Sequence, residues 1–303
     1  MKKVIVTTTI NPVTPAIEKF QDLPDWELIV VGDKKTPADY PLRRGLYLPP
    51  AAQEAYDREL SDAIGWNCVQ RRNFGLLYAH DMKADIVAVV DDDNIPYDFW
   101  GQNLFVGGDV EVNLYSTGLP AFDPLGATNE TRLWQRGYPL QLLARRDYSV
   151  KKKATVRCDI QADLWNGDPD VDAVCRMIYA PQCRFDDSCF PIASDAPIPF
   201  GSQNTFIGGG LLKDYFLFPH IGRMDDIWAG YYAQARGYRV VCAKPSVRQE
   251  RNVHDPAADM KMEYLGYEKN LELLLALRKS PENIFDFLPE TSARACALYR
   301  EHF

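Results

Sequence analysis

The sequence predicts an α/β protein with a mostly parallel central sheet, a smaller mixed sheet and C-terminal helices. Three observations predict it. Over the first ninety-odd residues short apolar runs alternate with helically spaced stretches, the pattern of a parallel sheet with crossover helices. Polar clusters follow those runs directly, where loops at the carboxyl edge of such a sheet bind ligands. The clearest helical periodicity lies near the C-terminus, at 262–277.

The elements follow in order. Lys3–Thr8 (KVIVTT) reads as a buried strand leading into a loop with Asn11 and Pro12. Pro15–Phe20 reads as a short helix. Trp26–Val31 (WELIVV) reads as a second strand ending in Gly32-Asp33-Lys34. Residues 35–52, rich in Pro and Arg, read as loop. Within Asn67–His80, the side chains of Val69, Phe74, Leu77 and Tyr78 share one helical face. Ile86–Val90 is the third strand, and it runs straight into Asp91-Asp92-Asp93. Residues 100–205 carry short apolar runs with many Gly and Pro, which predicts loops and the smaller mixed sheet. Met224–Ala235 reads as a helix opening on two acids, which suit the positive end of a helix dipole. Arg239–Ala243 reads as a strand, Met262–Leu277 as a long helix, and the tail from Pro281 as a helical cover.

Composition excludes several classes. A net charge of −8 and a pI near 5.1 argue against a general binder of nucleic acid or anionic membrane. No segment approaches the length of a membrane span, and the N-terminus has no long apolar stretch of a secretory signal. A cytoplasmic location is expected. The seven cysteines include no CxxC pair, which argues against a zinc ribbon or a disulfide scaffold.

Three adjacent like charges at the end of an apolar strand call for a cation. Carboxylate oxygens suit Mg²⁺ or Mn²⁺, which also bind substrate phosphates. Upstream, an arginine of Gln70-Arg71-Arg72-Asn73 can reach a diphosphate at the same sheet edge, although a surface arginine pair is the commoner arrangement. Asp225 and Asp226 offer a general base, a sugar-binding carboxylate, or simply a helix cap. Arg136, before Gly137, Tyr138 and Pro139, reads as structural on physics alone. His254, in the loop after the Arg239–Ala243 strand, can complete a metal shell or stand exposed. The Gly208–Gly210 run fits no phosphate-loop spacing.

Together these pieces resemble the GT-A nucleotide-sugar fold and, within it, the reversibly glycosylated polypeptides, the UDP-arabinopyranose mutases. The stretches IVTTTINP, VVGDKKTP, RRNFG, VVDDDN, QRGYPLQLL, DLWNGDPDVDA, GRMDDIWAGYY and KMEYLGYE carry the likeness in the same order. It spans roughly residues 4–268. The resemblance implies a single catalytic domain over 1–261, with a nucleotide-binding half at 1–98 and a sugar/acceptor half at 99–261. A helical cover follows over 262–303. It also implies roles. Asp91, Asp92 and Asp93 form the metal-binding triad, with Asp91 and Asp93 as ligands. Arg72, Asp33, Thr8 and Asn11, with Asp91 and Asp92, bind the nucleotide-sugar. Arg136 is transiently glycosylated, and Asp225 and Asp226 act near the sugar. The third metal ligand is His254, Glu250 or none. The stretch NIPYDFWGQN after the triad departs from the family.

The expected activity is that of a metal-dependent UDP-sugar mutase using Mn²⁺ or Mg²⁺. The alternative is a glycosyltransferase that passes the sugar to a separate glycan acceptor, and a non-catalytic nucleotide-sugar-binding subunit ranks third. Fold alone does not choose between them. The Trp228 helix offers a face for a homo-oligomer contact or for a wall of the site.

Overall fold

Val4, Ile5 and Val6 are wholly buried because their strand, β1 (Lys3–Thr9), is covered on both faces, as parallel strands are. The computed structural model describes residues 1–250 and 255–303. Beside β1 run β2 (Glu27–Gly32), β3 (Leu46–Leu48) and β4 (Ile86–Val90), all parallel, in the order β3-β2-β1-β4. Their crossovers carry α1 (Pro15–Gln21), α2 (Pro50–Tyr56), α3 (Arg58–Ile64) and α4 (Arg72–Asp81). Thr14 caps α1, its hydroxyl accepting the Ile17 N–H, with Pro15 in the first turn. Helix α4 lies close on β1 because residue 75 is glycine: a Cβ there would sit 2.3 Å from Val6 Cγ1.

Residues 35–52 are not all loop. Leu46–Leu48 adds an edge strand to β2, too short to show alternation, and α2 starts at Pro50. The helix expected from Asn67 begins at Arg72, after a 3₁₀ turn over Val69–Arg71, and Val69 is exposed rather than part of the apolar face.

The second half adds β5 (Asn94–Pro96), β6 (Asp109–Tyr115), β7 (Lys151–Arg157), β8 (Ile160–Gly167), β9 (Ile192–Ser194), β10 (Asn204–Gly208) and β11 (Val240–Gln249). The sheet continues from β4 as β10-β8-β11-β9-β6-β7, and β5 pairs with β11. The mixed part expected as a separate smaller sheet is therefore continuous with the main one. Only its outer strands β9-β6-β7 are attached narrowly: β9 meets β11 at one pair, Ile192 and Cys242. Strand β10 runs antiparallel between β4 and β8, which brings residues 201–204 to the end of β4.

Among the described residues four further α-helices complete the fold: α5 (Ala173–Tyr179), α6 (Asp225–Ala235), α7 (Pro256–Leu277) and α8 (Glu290–Arg300). Every residue of α6 from Asp225 to Ala233 is buried, Trp228 completely, so this helix presents no face for a subunit contact. Trp228 Nε1 donates to Asn270 on α7 at 2.8 Å. Helix α7 starts earlier than its apolar periodicity suggests, because Asp255 caps it and Pro256 opens it. The division drawn at 261/262 falls inside this helix. No helix among the described residues is long and apolar enough to cross a membrane.

Candidate functional site

Strand β1 pairs with β2 on one side and β4 on the other. Where strand order reverses in this way, the loops at the carboxyl ends part and leave a crevice. The loop after β1 and the aspartates after β4 meet there. Asp92 binds them together: Thr9 Oγ1 donates to its carboxylate at 2.5 Å, Asn11 Nδ2 at 3.0 Å, and Thr14 Oγ1 to its carbonyl at 2.6 Å. Asn11 thus orients Asp92, and the middle aspartate joins the two loops.

Asp91 accepts from Arg72 Nη2 at 2.6 Å, an ion pair whose arginine is almost wholly buried. The same guanidinium reaches Thr8 Oγ1 at 3.4 Å, and its Nη1 donates to both oxygens of Ser202 at 2.9 Å. Arg72 therefore links the ends of β1, β4 and β10. Arg71 and Arg72 do not form a surface pair; both are buried. Arg71 lies 3.7 Å over the Trp66 ring and bonds Gln53 and Ser61. Asp33, buried at the end of β2, accepts the backbone N–H groups of Lys34, Asn67 and Cys68. It shapes the 67–70 loop, and that loop, rather than Asp33, lines the cavity.

The cavity holds about 360 Å³. Asn67–Gln70 form one wall, Asp91 and Asp93 another, and Arg136, Asp170, Asp225, Asp226 and Gln249 line the remainder. Arg136 is a buried charge that its surroundings fully engage. Its Nε donates to both oxygens of Asp170 at 3.2 and 3.0 Å. Its Nη1 and Nη2 meet Asp226 Oδ1 and Oδ2 at 3.0 and 2.9 Å, and Nη1 also donates to the Arg223 carbonyl. Burial alone would lower its pKa, but Asp170 and Asp226 hold it well above the ordinary arginine value. Gly137, at φ +91°, turns the chain away; a Cβ there would lie 2.3 Å from Ile227 Cγ2.

Asp225 and Asp226 are neighbours with different environments. Neither caps α6, whose N-cap is Met224 with no side-chain hydrogen bond. Asp226 receives Arg136 and also the Ser202 N–H and hydroxyl. For Asp225, Gln70 Nε2 at 2.9 Å is the one side-chain donor among the described residues. Burial, and then the charge of Asp226, raise the Asp225 pKa to about 7, with Arg136 opposing. The sequence reading missed Asp170, Ser202 and Arg223. Arg223 pairs with Asp170 at 3.5 Å, Asp259 at 3.4 Å and Glu263 at 2.9 Å, joining the site to α7. These partners stand far from Arg136 in the chain and share no periodicity with it.

Five carboxylates (Asp91, Asp93, Asp170, Asp225, Asp226) line the cavity against two guanidiniums (Arg136, Arg223). An anionic diphosphate entering such a wall needs a cation with it. Asp91 and Asp93 fit a hard divalent ion of the kind that uses one or two carboxylates and completes its shell with phosphate oxygens and water. No cluster of three or more His, Cys, Asp or Glu suited to a metal occurs among the described residues. His254 lies outside them, and the Glu250 carboxylate pairs with Arg248 at 3.3 Å.

No family model matches the chain. It is similar to two curated proteins of Arabidopsis thaliana, Probable glycosyltransferase STELLO2 and Probable glycosyltransferase STELLO1. Each is 23% identical over 316 aligned residues, covering 96% of this chain and 41% of the relative. The chain thus spans less than half the length of the curated relatives it matches. Neither relative is named a mutase.

Proposed function

We propose that this chain is a glycosyltransferase that moves a sugar from a nucleotide-sugar donor to a separate acceptor. The observation that carries the reading is the unequal pair Asp225 and Asp226. Asp226 is committed to Arg136 and Ser202. Asp225 lines the cavity with a pKa raised to about 7, suited to a general base near neutral pH. It takes the proton of an acceptor hydroxyl while that oxygen bonds to the anomeric carbon. The bond from the anomeric carbon to the diphosphate oxygen breaks, and the electron pair leaves with the nucleotide.

The mutase reading gives way to this alternative for two reasons. Both relatives are named glycosyltransferases. An arginine attacks carbon only when deprotonated, and Arg136 has all three guanidinium nitrogens in hydrogen bonds to Asp170, Asp226 and the Arg223 carbonyl. Its part is positional: it fixes Asp226 and so the start of α6, where Asp225 stands. Arg72 does the same for Asp91. Asp91 and Asp93 would hold Mn²⁺ or Mg²⁺, which when bound offsets diphosphate charge and stabilises the departing nucleotide.

The test is to incubate the protein and Mn²⁺ with a panel of UDP-sugars, with and without an oligosaccharide acceptor. Acceptor-dependent UDP release with inversion at the anomeric carbon is expected, the outcome of a single displacement assisted by Asp225 as base. A furanose isomer formed without acceptor would restore the mutase, and absence of binding to every UDP-sugar would remove both.

A further inference from the structure

The stretch NIPYDFWGQN and the residues just after it roof a second, smaller pocket, which shares no lining residue with the cavity above. The pocket holds about 140 Å³. Phe99, Leu104, Phe105 and Phe190 give it apolar walls. Gln161 and Asp163, two apart on β8 and so on one face of the strand, form its polar side. Gln161 Nε2 donates to Asp163 at 2.8 Å, and Gln161 Oε1 accepts the Phe105 N–H at 2.7 Å. The amide is thereby used on both ends, fixing the carboxylate beside the pocket.

Charge decides what such a pocket accepts. Lys244, at the rim, donates to Asp187 at 3.0 Å and lies 4.9 Å over the Phe99 ring. That pair is neutral in itself. Among the described residues no cation stands within ion-pair distance of Asp163. The unbalanced charge of the pocket is therefore this one carboxylate, set against aromatic walls. Burial raises its pKa to about 7, against hydrogen bonds from Ser246 and Gln161 and the more distant charge of Lys244. An apolar cavity of about 150 Å³ takes one benzene ring.

We infer that this pocket binds a small molecule joining a single apolar ring to a protonated amine, with the ring between Phe99, Leu104 and Phe190 and the ammonium on Asp163. An anionic ligand would face Asp163 unscreened. A neutral ring would add no counter-charge to a carboxylate that has only the hydrogen bonds of Gln161 and Ser246, and a buried charge left so is costly.

The test uses the unaltered chain at pH 8, titrated by calorimetry with benzylamine, benzyl alcohol and benzoate. Saturable one-to-one binding of benzylamine is expected, with the alcohol weaker by about tenfold for want of a charge-assisted hydrogen bond and benzoate silent. Asp163→Asn should erase the preference for amine over alcohol. Lys244→Ala, at the exposed rim, should strengthen amine binding by removing a competing cation. Equal affinity for amine and alcohol, or no saturable amine binding, overturns the assignment even if Asp163→Asn fails to fold. Turnover of UDP-sugars is expected to be unchanged in Lys244→Ala, so the outcome is separate from that of the proposed transferase.

Discussion

Arg136 and Asp226 meet fork to fork, Nη1 on Oδ1 at 3.0 Å and Nη2 on Oδ2 at 2.9 Å, with both side chains buried. Two parallel charge-assisted bonds fix the relative angle of the planes as well as their distance. Removing one partner leaves the other as a buried charge. Arg136→Met is therefore expected to cost about 3–5 kcal/mol, read from urea denaturation. Arg136→Lys keeps the charge but not the fork, and should fall between that variant and the unaltered protein.

Asp225 can be tested apart from folding. Asp225→Asn retains a side chain that Gln70 can hydrogen-bond, so the melting temperature should hold. Transfer should drop by about 10²–10⁴, the usual contribution of a general base, with donor KM little changed. A variant with full activity would remove Asp225 from the reaction.

Stability and activity should move in opposite directions with pH. Asp163, Asp172 and Asp225 all have pKa values raised to about 7, chiefly by burial. The native state holds these protons at pH values where the unfolded chain, with carboxylates near about 4, has released them. Their contribution to stability is thus present at low pH, fades as pH rises from the unfolded value to about 7, and is level above it. Urea midpoints of Asp172→Asn should show a smaller decline from pH 5 to pH 8 than those of the unaltered protein. Transfer should instead rise through pH 7, as Asp225 ionises.

Asp91 and Asp93 should make donor binding metal-dependent. A chelator is expected to abolish UDP-sugar binding by calorimetry, and added Mn²⁺ or Mg²⁺ to restore it. Asp93→Asn should weaken the metal-dependent part while leaving the melting temperature within a few degrees. Metal-independent donor binding would remove the ion from the scheme.

Gly137 offers a purely steric test. Its positive φ and the 2.3 Å approach to Ile227 Cγ2 leave no room for a methyl group. Gly137→Ala should destabilise by about 1–3 kcal/mol, the usual cost of overpacking, measured by urea denaturation.

The three central parallel strands were legible because each carries a buried apolar run, unbroken in Ile86–Val90. The aspartates at its end were legible for the same reason: a charge cluster directly after such a run marks the ligand edge. What stayed hidden depends on contacts across the chain. Leu46–Leu48 is a strand only because β2 lies beside it. Arg71 looks like a surface charge until Gln53, Ser61 and Trp66 enclose it. Nothing near Arg136 announces Asp170 or Asp226. Arg136 is enclosed by these acids, an environment that its Gly-Tyr-Pro neighbours in the chain do not signal.

The acid–arginine cluster has a consequence for how the chain reaches its native state. Residues 136, 170 and 202 lie on separate segments, 223 and 226 together on a fourth, and each holds another in place. Contacts between partners so far apart in sequence carry a loop-closure cost that is met before they return any stability. The cluster is therefore expected to form late in folding, once α6 has packed against its neighbours. A ribosome-bound chain that has not yet released α6 holds Arg136 without Asp226, and is expected to remain open there to proteases until synthesis passes it.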